Sequence, residues 1–330
     1  MFSIEERLMQ YDQQGLFGDY HLDGTEREAF LGSGSFGSVY RLSKVEIIAT
    51  HEDRYTRAVK LIAIDAEHIR RSRSVREEDI PRQLIREKNK VDNEIRTMKK
   101  LGQETGIAFF FESRVIQRTD TPETSWDVLI IMEELEVLPK YLQNSGCLPG
   151  TTACLKCALH VWMEISSALQ VCEIKQILHL DIKPDNIFRS AGNHYKLGDF
   201  GNAMEGASFD EKILRGTLDY MAPEMYYRQG GDIRTDIYSL AVTIYEMLNG
   251  GRLPFQQPAS GKRQGATVRE LRTAAYEMRL KELRPVQPIR GVPQDINELL
   301  LRCLQTRRAR RKMSHLINFR HQSFQASALY

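Results

Sequence analysis

The spacing of apolar and polar positions changes character partway along this chain. From Phe30, the string Phe-Leu-Gly-Ser-Gly-Ser-Phe-Gly-Ser-Val-Tyr-Arg-Leu sets β-branched and aromatic residues around a glycine cluster. That texture predicts two strands joined by a Gly-rich turn. Residues 57–64 form a short apolar run of strand length, and 109–117 and 128–132 read as two more strands. Val91, Ile95, Met98 and Leu101 recur at spacings of four, three and three, the apolar stripe of a helix. After Gly150, Leu155, Leu159, Trp162, Ile165, Ser166 and Leu169 keep helical spacing. Two short apolar stretches, 179–188 and 195–200, lie in a loop-rich middle, and the helical pattern returns beyond Asp236.

Strands therefore dominate before about residue 135 and helices after about 150. Such segregation predicts an α+β fold, with a small β-rich lobe joined to a larger helical lobe. The expected organisation is an N-terminal arm over 1–24, an N-lobe over 25–135, a C-lobe over 136–318 and a tail over 319–330. Residues 65–100 carry 19 charged side chains, eleven basic and eight acidic, and the first part of this stretch, 65–90, reads as a charged insert.

Composition narrows the classes. A chain of 330 residues with 42% apolar and 27% charged positions can bury a core, which excludes a disordered or fibrous protein. Lys and Arg number 46 against 44 Asp and Glu, so the net charge of +2 gives no general attraction to nucleic acid or an anionic membrane, and neither is expected as a partner. Five cysteines, an odd and sparse set, do not suggest a disulfide framework. The N-terminus is polar and acidic, unlike a secretory signal, and the longest apolar runs fall far short of a bilayer span of about 20 residues. The expected location is the reducing cytosol.

Gly32-Ser-Gly34-Ser-Phe-Gly37 fits G-x-G-x-x-G. A dinucleotide-binding fingerprint would lead into a helix, whereas here Val39-Tyr40-Arg41-Leu42 is strand-like. A hairpin tip without bulky side chains can lie over phosphates and offer backbone N–H groups. Taken alone, the motif is more simply a Gly/Ser hairpin. It is followed, in order, by Ala58-Val59-Lys60, His179-Leu180-Asp181-Ile182-Lys183-Pro184-Asp185-Asn186, Asp199-Phe200-Gly201 and Ala222-Pro223-Glu224. This set resembles the eukaryotic-type Ser/Thr protein kinase family over roughly residues 28–318.

The resemblance implies transfer of the γ-phosphate of ATP, with Mg²⁺ or alternatively Mn²⁺, to Ser/Thr hydroxyls of protein substrates. It implies Lys60 on the α- and β-phosphates, oriented by a carboxylate. Glu94 is the better candidate for that carboxylate and Glu87 the runner-up. Asn186 and Asp199 offer hard oxygen ligands for the metal. Asp181 would orient the incoming hydroxyl, Lys183 would contact the γ-phosphate, and Thr217 would bond near both. Met132 would be the gatekeeper, with backbone groups of Glu133 and Leu135 facing adenine, Val39 and Ala58 packed on one side of the base and Phe188 on the other. Asp236 would anchor the catalytic loop backbone, and Arg311 would pair with Glu224.

Leu180 stands where most members have arginine. The string His-Leu-Asp-x-Lys-Pro-x-Asn-Ile-Phe resembles Wee/Myt kinases, whereas Trp126–Glu133, the charged insert and Leu248–Phe255 look more like eukaryotic-type kinases of Gram-positive bacteria. Those often continue into a membrane-spanning sensor; this chain stops at Tyr330 without one and so looks soluble. An ATP-binding pseudokinase and a small-molecule phosphotransferase are the alternatives. Lys60, Asp181, Asn186 and Asp199, all present, weigh against the first, and the Ala222-Pro223-Glu224 segment against the second. Control is expected to pass to the insert or to a regulatory partner. Cys154-x-x-Cys157 with His160 could suggest zinc, but free core thiols on a helix are the simpler reading. The basic run Arg307–Lys312 reads as one buried ion pair plus a solvated helix end, with an RNA or acidic-partner patch as the alternative.

Overall fold

The computed structural model describes residues 3–34, 37–48, 51–72, 75–121, 124–209, 215–256, 267–280 and 286–314. The chain divides into two compact units, Met1–Gln103 with Ala108–Leu135 and Glu104–Ile107 with Glu136–Tyr330.

The first unit holds α1 (Ile4–Gln13), β1 (His21–Leu22), α2 (Glu26–Ala29), β2 (Phe30–Gly34), β3 (Gly37–Ile48), β4 (His51–Ile64), α3 (Ala66–Ser72), α4 (Ile80–Leu101), β5 (Phe110–Arg118) and β6 (Ser125–Met132). The strands form one antiparallel sheet in the order β1-β3-β4-β6-β5, with β2 on β3. Because strand side chains alternate, register assigns each residue a face. Val39 pairs with Lys60, Lys60 with Ile130, and Ala58 with Met132, so these five share one face. The other face carries Tyr40, Leu42, Val59, Leu61, Leu129 and Ile131, buried against Leu8 and Tyr11 of α1 and Phe17.

Residues 3–24 are thus part of this unit. α1 starts with a capping box: Ser3 Oγ accepts from Glu6 N, and Glu6 returns the bond to Ser3 N. Its polar Arg7 is buried and donates to both oxygens of Asp127 at 2.6 and 2.8 Å; Tyr11 donates to the same carboxylate at 2.6 Å. The helix bearing Glu94 begins at Ile80, eleven residues earlier than its apolar stripe suggested, so the second part of the charged insert is its opening turns. Pro81 suits that start, since its missing N–H has no intrahelical partner there.

The second unit holds β7 (Glu136–Val137), α5 (Leu138–Asn144), α6 (Thr152–Ile174), β8 (Ile177–Leu178), β9 (Ile187–Arg189), β10 (Tyr195–Leu197), β11 (Met204–Glu205), β12 (Ser208–Phe209), α7 (Pro223–Tyr226), β13 (Gly231–Asp232), α8 (Ile233–Leu248), α9 (Val268–Leu280) and α10 (Gln294–Cys303). Apart from Arg234, every residue of α8 is buried, which makes it the central helix of this unit. It packs on α6, whose Trp162, Ile165 and Leu169 are fully buried. Cys154 Sγ lies 3.5 Å from the Met247 carbonyl and Cys157 Sγ 3.2 Å from the Tyr195 hydroxyl, so the two thiols are core groups with separate partners. Burial pushes the Cys157 thiol up to about 11, which keeps it protonated at neutral pH.

The basic run does not end a helix. α10 stops at Cys303, and Arg308–Arg310 form a 3₁₀ turn. Arg311 is buried in a bidentate pair with Glu224, both contacts 2.7 Å, while Arg307, Arg310 and Lys312 are exposed. Among the described residues, no helix is long and apolar enough to cross a membrane.

Candidate active site

Each unit gathers part of the expected constellation. In the first, Gly34 pairs with Gly37 and Gly32 with Val39 at the β2–β3 hairpin; its tip, Ser35-Phe36, lies outside the described residues. Gly37 has φ +139°, and a Cβ there would sit 2.3 Å from the Leu61 carbonyl oxygen, so only glycine fits. Lys60 donates to Glu94 Oε1 at 2.8 Å with both groups buried. Of the two acids considered, the structure brings Glu94 to Lys60, while Glu87 pairs with Lys90 at 3.1 Å. Val91, Ile95 and Met98 bury α4 and so aim Glu94 inward. Met132 ends β6. The next residue, Glu133, donates its N–H to Phe109 O at 2.9 Å, and Glu134 is held by Arg41 at 2.8 Å. Leu135 closes this unit.

In the second unit, Asp236 at the start of α8 is fully buried and accepts 2.8 Å bonds from the backbone N–H groups of both His179 and Leu180. Those two bonds hold Leu180 at φ +64°, a left-handed conformation that costs a bulky residue about 1–2 kcal/mol. The result turns the next residue, Asp181, toward Lys183 and Thr217. Asp181 Oδ1 accepts from Thr217 N at 2.9 Å and Thr217 Oγ1 at 2.7 Å; Oδ2 accepts from Lys183 Nζ at 3.1 Å. Lys183 also donates to Thr217 Oγ1 at 2.9 Å. Burial opposes ionisation of Asp181, but the Lys183 charge and the Thr217 and Lys183 hydrogen bonds outweigh it and hold the carboxyl below its ordinary range.

Asn186 donates from Nδ2 to Asp181 O at 2.8 Å and to Asp181 Oδ2 at 3.2 Å, which leaves its Oδ1 facing the other way. The His179 ring links two loops: Nε2 donates to Gly198 O at 3.0 Å and Nδ1 accepts from Asp181 N at 3.3 Å, roles set because a carbonyl only accepts and an amide N–H only donates. Gly198 N in turn donates to Asn186 O at 3.0 Å. Asp199 follows, half-buried, at φ +59°. Phe188 sits on β9.

Some participants were missed from sequence. Asn202 Nδ2 donates to Asp181 Oδ2 at 3.2 Å, yet no motif marks it. Arg272 on α9 donates to Asp219 at 2.5 Å, to Glu246 at 3.0 Å and to the Tyr220 hydroxyl at 3.0 Å, and Arg279 donates to Asp219 O. These contacts secure the segment just after Thr217 across more than fifty residues of sequence. No local pattern reports a partner at that distance.

In the first unit a buried Lys–Glu pair on the sheet presents a cation of the kind that binds phosphate, and in the second a carboxylate held by Lys and Thr, with Asn186 bonded to it, is of the kind that positions a hydroxyl. The sequence profile of the protein kinase domain matches residues 25–321, and the chain belongs to that family. Its similarity to serine/threonine-protein kinase ULK3 of Homo sapiens is 31% identity over 301 residues, covering 89% of this chain and 54% of that protein. Similarity to Aurora kinase B of Danio rerio is 39% identity over 93 residues, covering 28% of this chain and 29% of that protein. The chain thus spans about half the length of the ULK3 relatives it matches.

Proposed function

We propose that this chain is a serine/threonine protein kinase that transfers the γ-phosphate of ATP to hydroxyls of protein substrates. The observation that carries this reading is the buried Asp181 carboxylate held between Lys183 and Thr217. Lys60, oriented by Glu94, serves the α- and β-phosphates, and the Gly32-Gly34-Gly37 hairpin offers backbone N–H groups above them. The shared face of Val39, Ala58 and Met132 supports their reading as base-contacting residues, with Phe188 on the opposite side of the base. Because the Glu133 N–H is bonded to Phe109, the base contact at that residue falls to its carbonyl, with a backbone group of Leu135 as the second contact.

Asn186 and Asp199 fit Mg²⁺: both present hard oxygens, and Asn186 is turned so that its amide donor points at Asp181 and its oxygen away. Bound there, the metal would neutralise charge on the phosphates. Asp181 orients the acceptor hydroxyl and takes its proton late in transfer, while Lys183 steadies the moving phosphoryl group. Positioning and charge neutralisation supply most of the acceleration. Five free thiols, four of them buried, support a reducing, cytoplasmic location.

The test uses purified chain, labelled ATP and an exogenous protein substrate. Asp181→Asn and Asp199→Asn are each expected to lower transfer more than about 100-fold, roughly 3 kcal/mol, with the fold intact by circular dichroism. Phosphoamino-acid analysis should give phosphoserine and phosphothreonine. Turnover within about tenfold of wild type in Asp199→Asn, or products dominated by phosphotyrosine, would sink the assignment.

A further inference from the structure

One cluster of ligating side chains in the second unit is not used by phosphate transfer. His160 and Glu164 lie one turn apart on α6, with Nε2 3.2 Å from Oε2. His194, in the turn between β9 and β10, brings Nδ1 to 2.7 Å from Glu164 Oε1. The backbone N–H of Tyr195 also donates to Glu164 Oε2, which fixes the carboxylate between the two rings. One ligand atom from each of the three residues lies within 4.8 Å of the others.

We propose that His160, Glu164 and His194 form a zinc site that clips α6 to the start of β10. Zinc bonds of about 2.0–2.1 Å to nitrogen and oxygen place tetrahedral ligands about 3.3 Å apart. The His160 and His194 nitrogens lie 3.2 and 2.7 Å from the two different oxygens of Glu164, and one ligand atom of each residue lies within 4.8 Å of the others, so side-chain rotation has to draw the three in to meet that spacing. Both ring nitrogens already face the carboxylate, where each can contact it only through a proton. A zinc ion replaces those protons and leaves a fourth position for water. Imidazole nitrogen with carboxylate oxygen suits zinc, whereas Mg²⁺ and Ca²⁺ favour sets made only of oxygen.

The supporting elements are rigid. α6 is anchored by buried Val161, Trp162 and Ile165 around the two ligands, and Tyr195 and Leu197 bury β10. His194 is 68% exposed in its side chain, so an ion can enter from solvent. The thiols of the same helix take no part, since Cys154 and Cys157 are bonded to Met247 and Tyr195. β10 leads through Gly198 into Asp199, so the ion would steady the strand that delivers that residue.

The test uses full-length chain without a polyhistidine tag, stripped with a chelator and titrated with ZnCl₂ against a chromophoric zinc indicator. One equivalent should bind and raise the unfolding midpoint. His194→Ala, which alters an exposed side chain, and Glu164→Gln should each weaken binding at least about tenfold and abolish the shift in midpoint. Cys157→Ser should bind as wild type does, and the zinc X-ray absorption edge should show nitrogen and oxygen neighbours only. Absence of saturable binding, full binding by His194→Ala, loss in Cys157→Ser, or a sulfur neighbour would each overturn the proposal.

Discussion

At Gly216 the backbone runs at φ +89° and so close to Leu180 that an added Cβ would lie 2.2 Å from its carbonyl oxygen. Neither partner can give way, because Leu180 is held by Asp236 and Gly216 precedes the residue bonded to Asp181. Gly216→Ala should therefore displace Thr217 and lower transfer on the order of 100-fold while leaving global unfolding cooperative, as single-turnover assays and urea titration can show. Asp181 also has a pH signature. Its folded carboxyl lies below the ordinary 3.8, so its charge-linked contribution to stability is complete above the unfolded value and is lost as pH falls through the lower folded one. The difference in unfolding free energy between wild type and Asp181→Asn should hold constant from about pH 7 to pH 5 and change against wild type only below about pH 4. Denaturant titrations across that range check it.

Among elements, α1 does the least expected thing. A polar, charged segment became a helix whose Arg7 and Tyr11 descend on Asp127, a carboxylate on the α1 face of β6 with no solvent exposure. Removing the arginine strands that charge in the interior, at a cost of about 3–5 kcal/mol; Tyr11→Phe removes one hydrogen bond to a charge and costs about 1.5–3 kcal/mol. Arg7→Met should thus lower the urea midpoint well beyond Tyr11→Phe, and a mutant at wild-type stability would show that α1 is not tied to the sheet. The sequence did carry a trace of this helix: Ser3 and Glu6 have capping-box spacing. Which carboxylate Arg7 would meet, 120 residues away, it did not carry.

At the scale of the whole molecule the open question is control. In most protein kinases an arginine before the corresponding aspartate donates to a phosphate on the activation segment, the stretch that follows Asp-Phe-Gly, through a charge-assisted contact. The Leu180 side chain has neither donor nor charge, and it is buried. Ile213 and Leu214, the apolar neighbours expected to pack on it, lie outside the described residues. Ser208, the only hydroxyl between Asp199 and Arg215 in the sequence, is exposed on β12 opposite Asp232, which is already paired with Arg234 and Arg308. Phosphate-free protein, verified by mass spectrometry, should therefore phosphorylate an exogenous substrate at full initial rate, and Ser208→Ala should match it. A lag abolished by pre-incubation with ATP would contradict this.

What the sequence determined by itself is the chemistry and its order along the chain. The proposed phosphate transfer would need a cation, a metal-binding pair and a positioned carboxylate at fixed offsets from backbone turns, and the candidates for these, Lys60, Asp181, Asn186 and Asp199, are legible as strings. Alternation and the 3.6-residue period exposed the sheet and α4 for the same local reason. Glu94 over Glu87 was legible because one apolar stripe aims it inward. Tertiary structure alone decided the rest: Arg7 on Asp127, Arg272 on Asp219, Asn202 on Asp181, and His194 on Glu164. In each, a polar side chain meets a partner many residues away, and only packing of the intervening elements sets the distance between them. A charged residue destined for the interior looks, in sequence, the same as one destined for water.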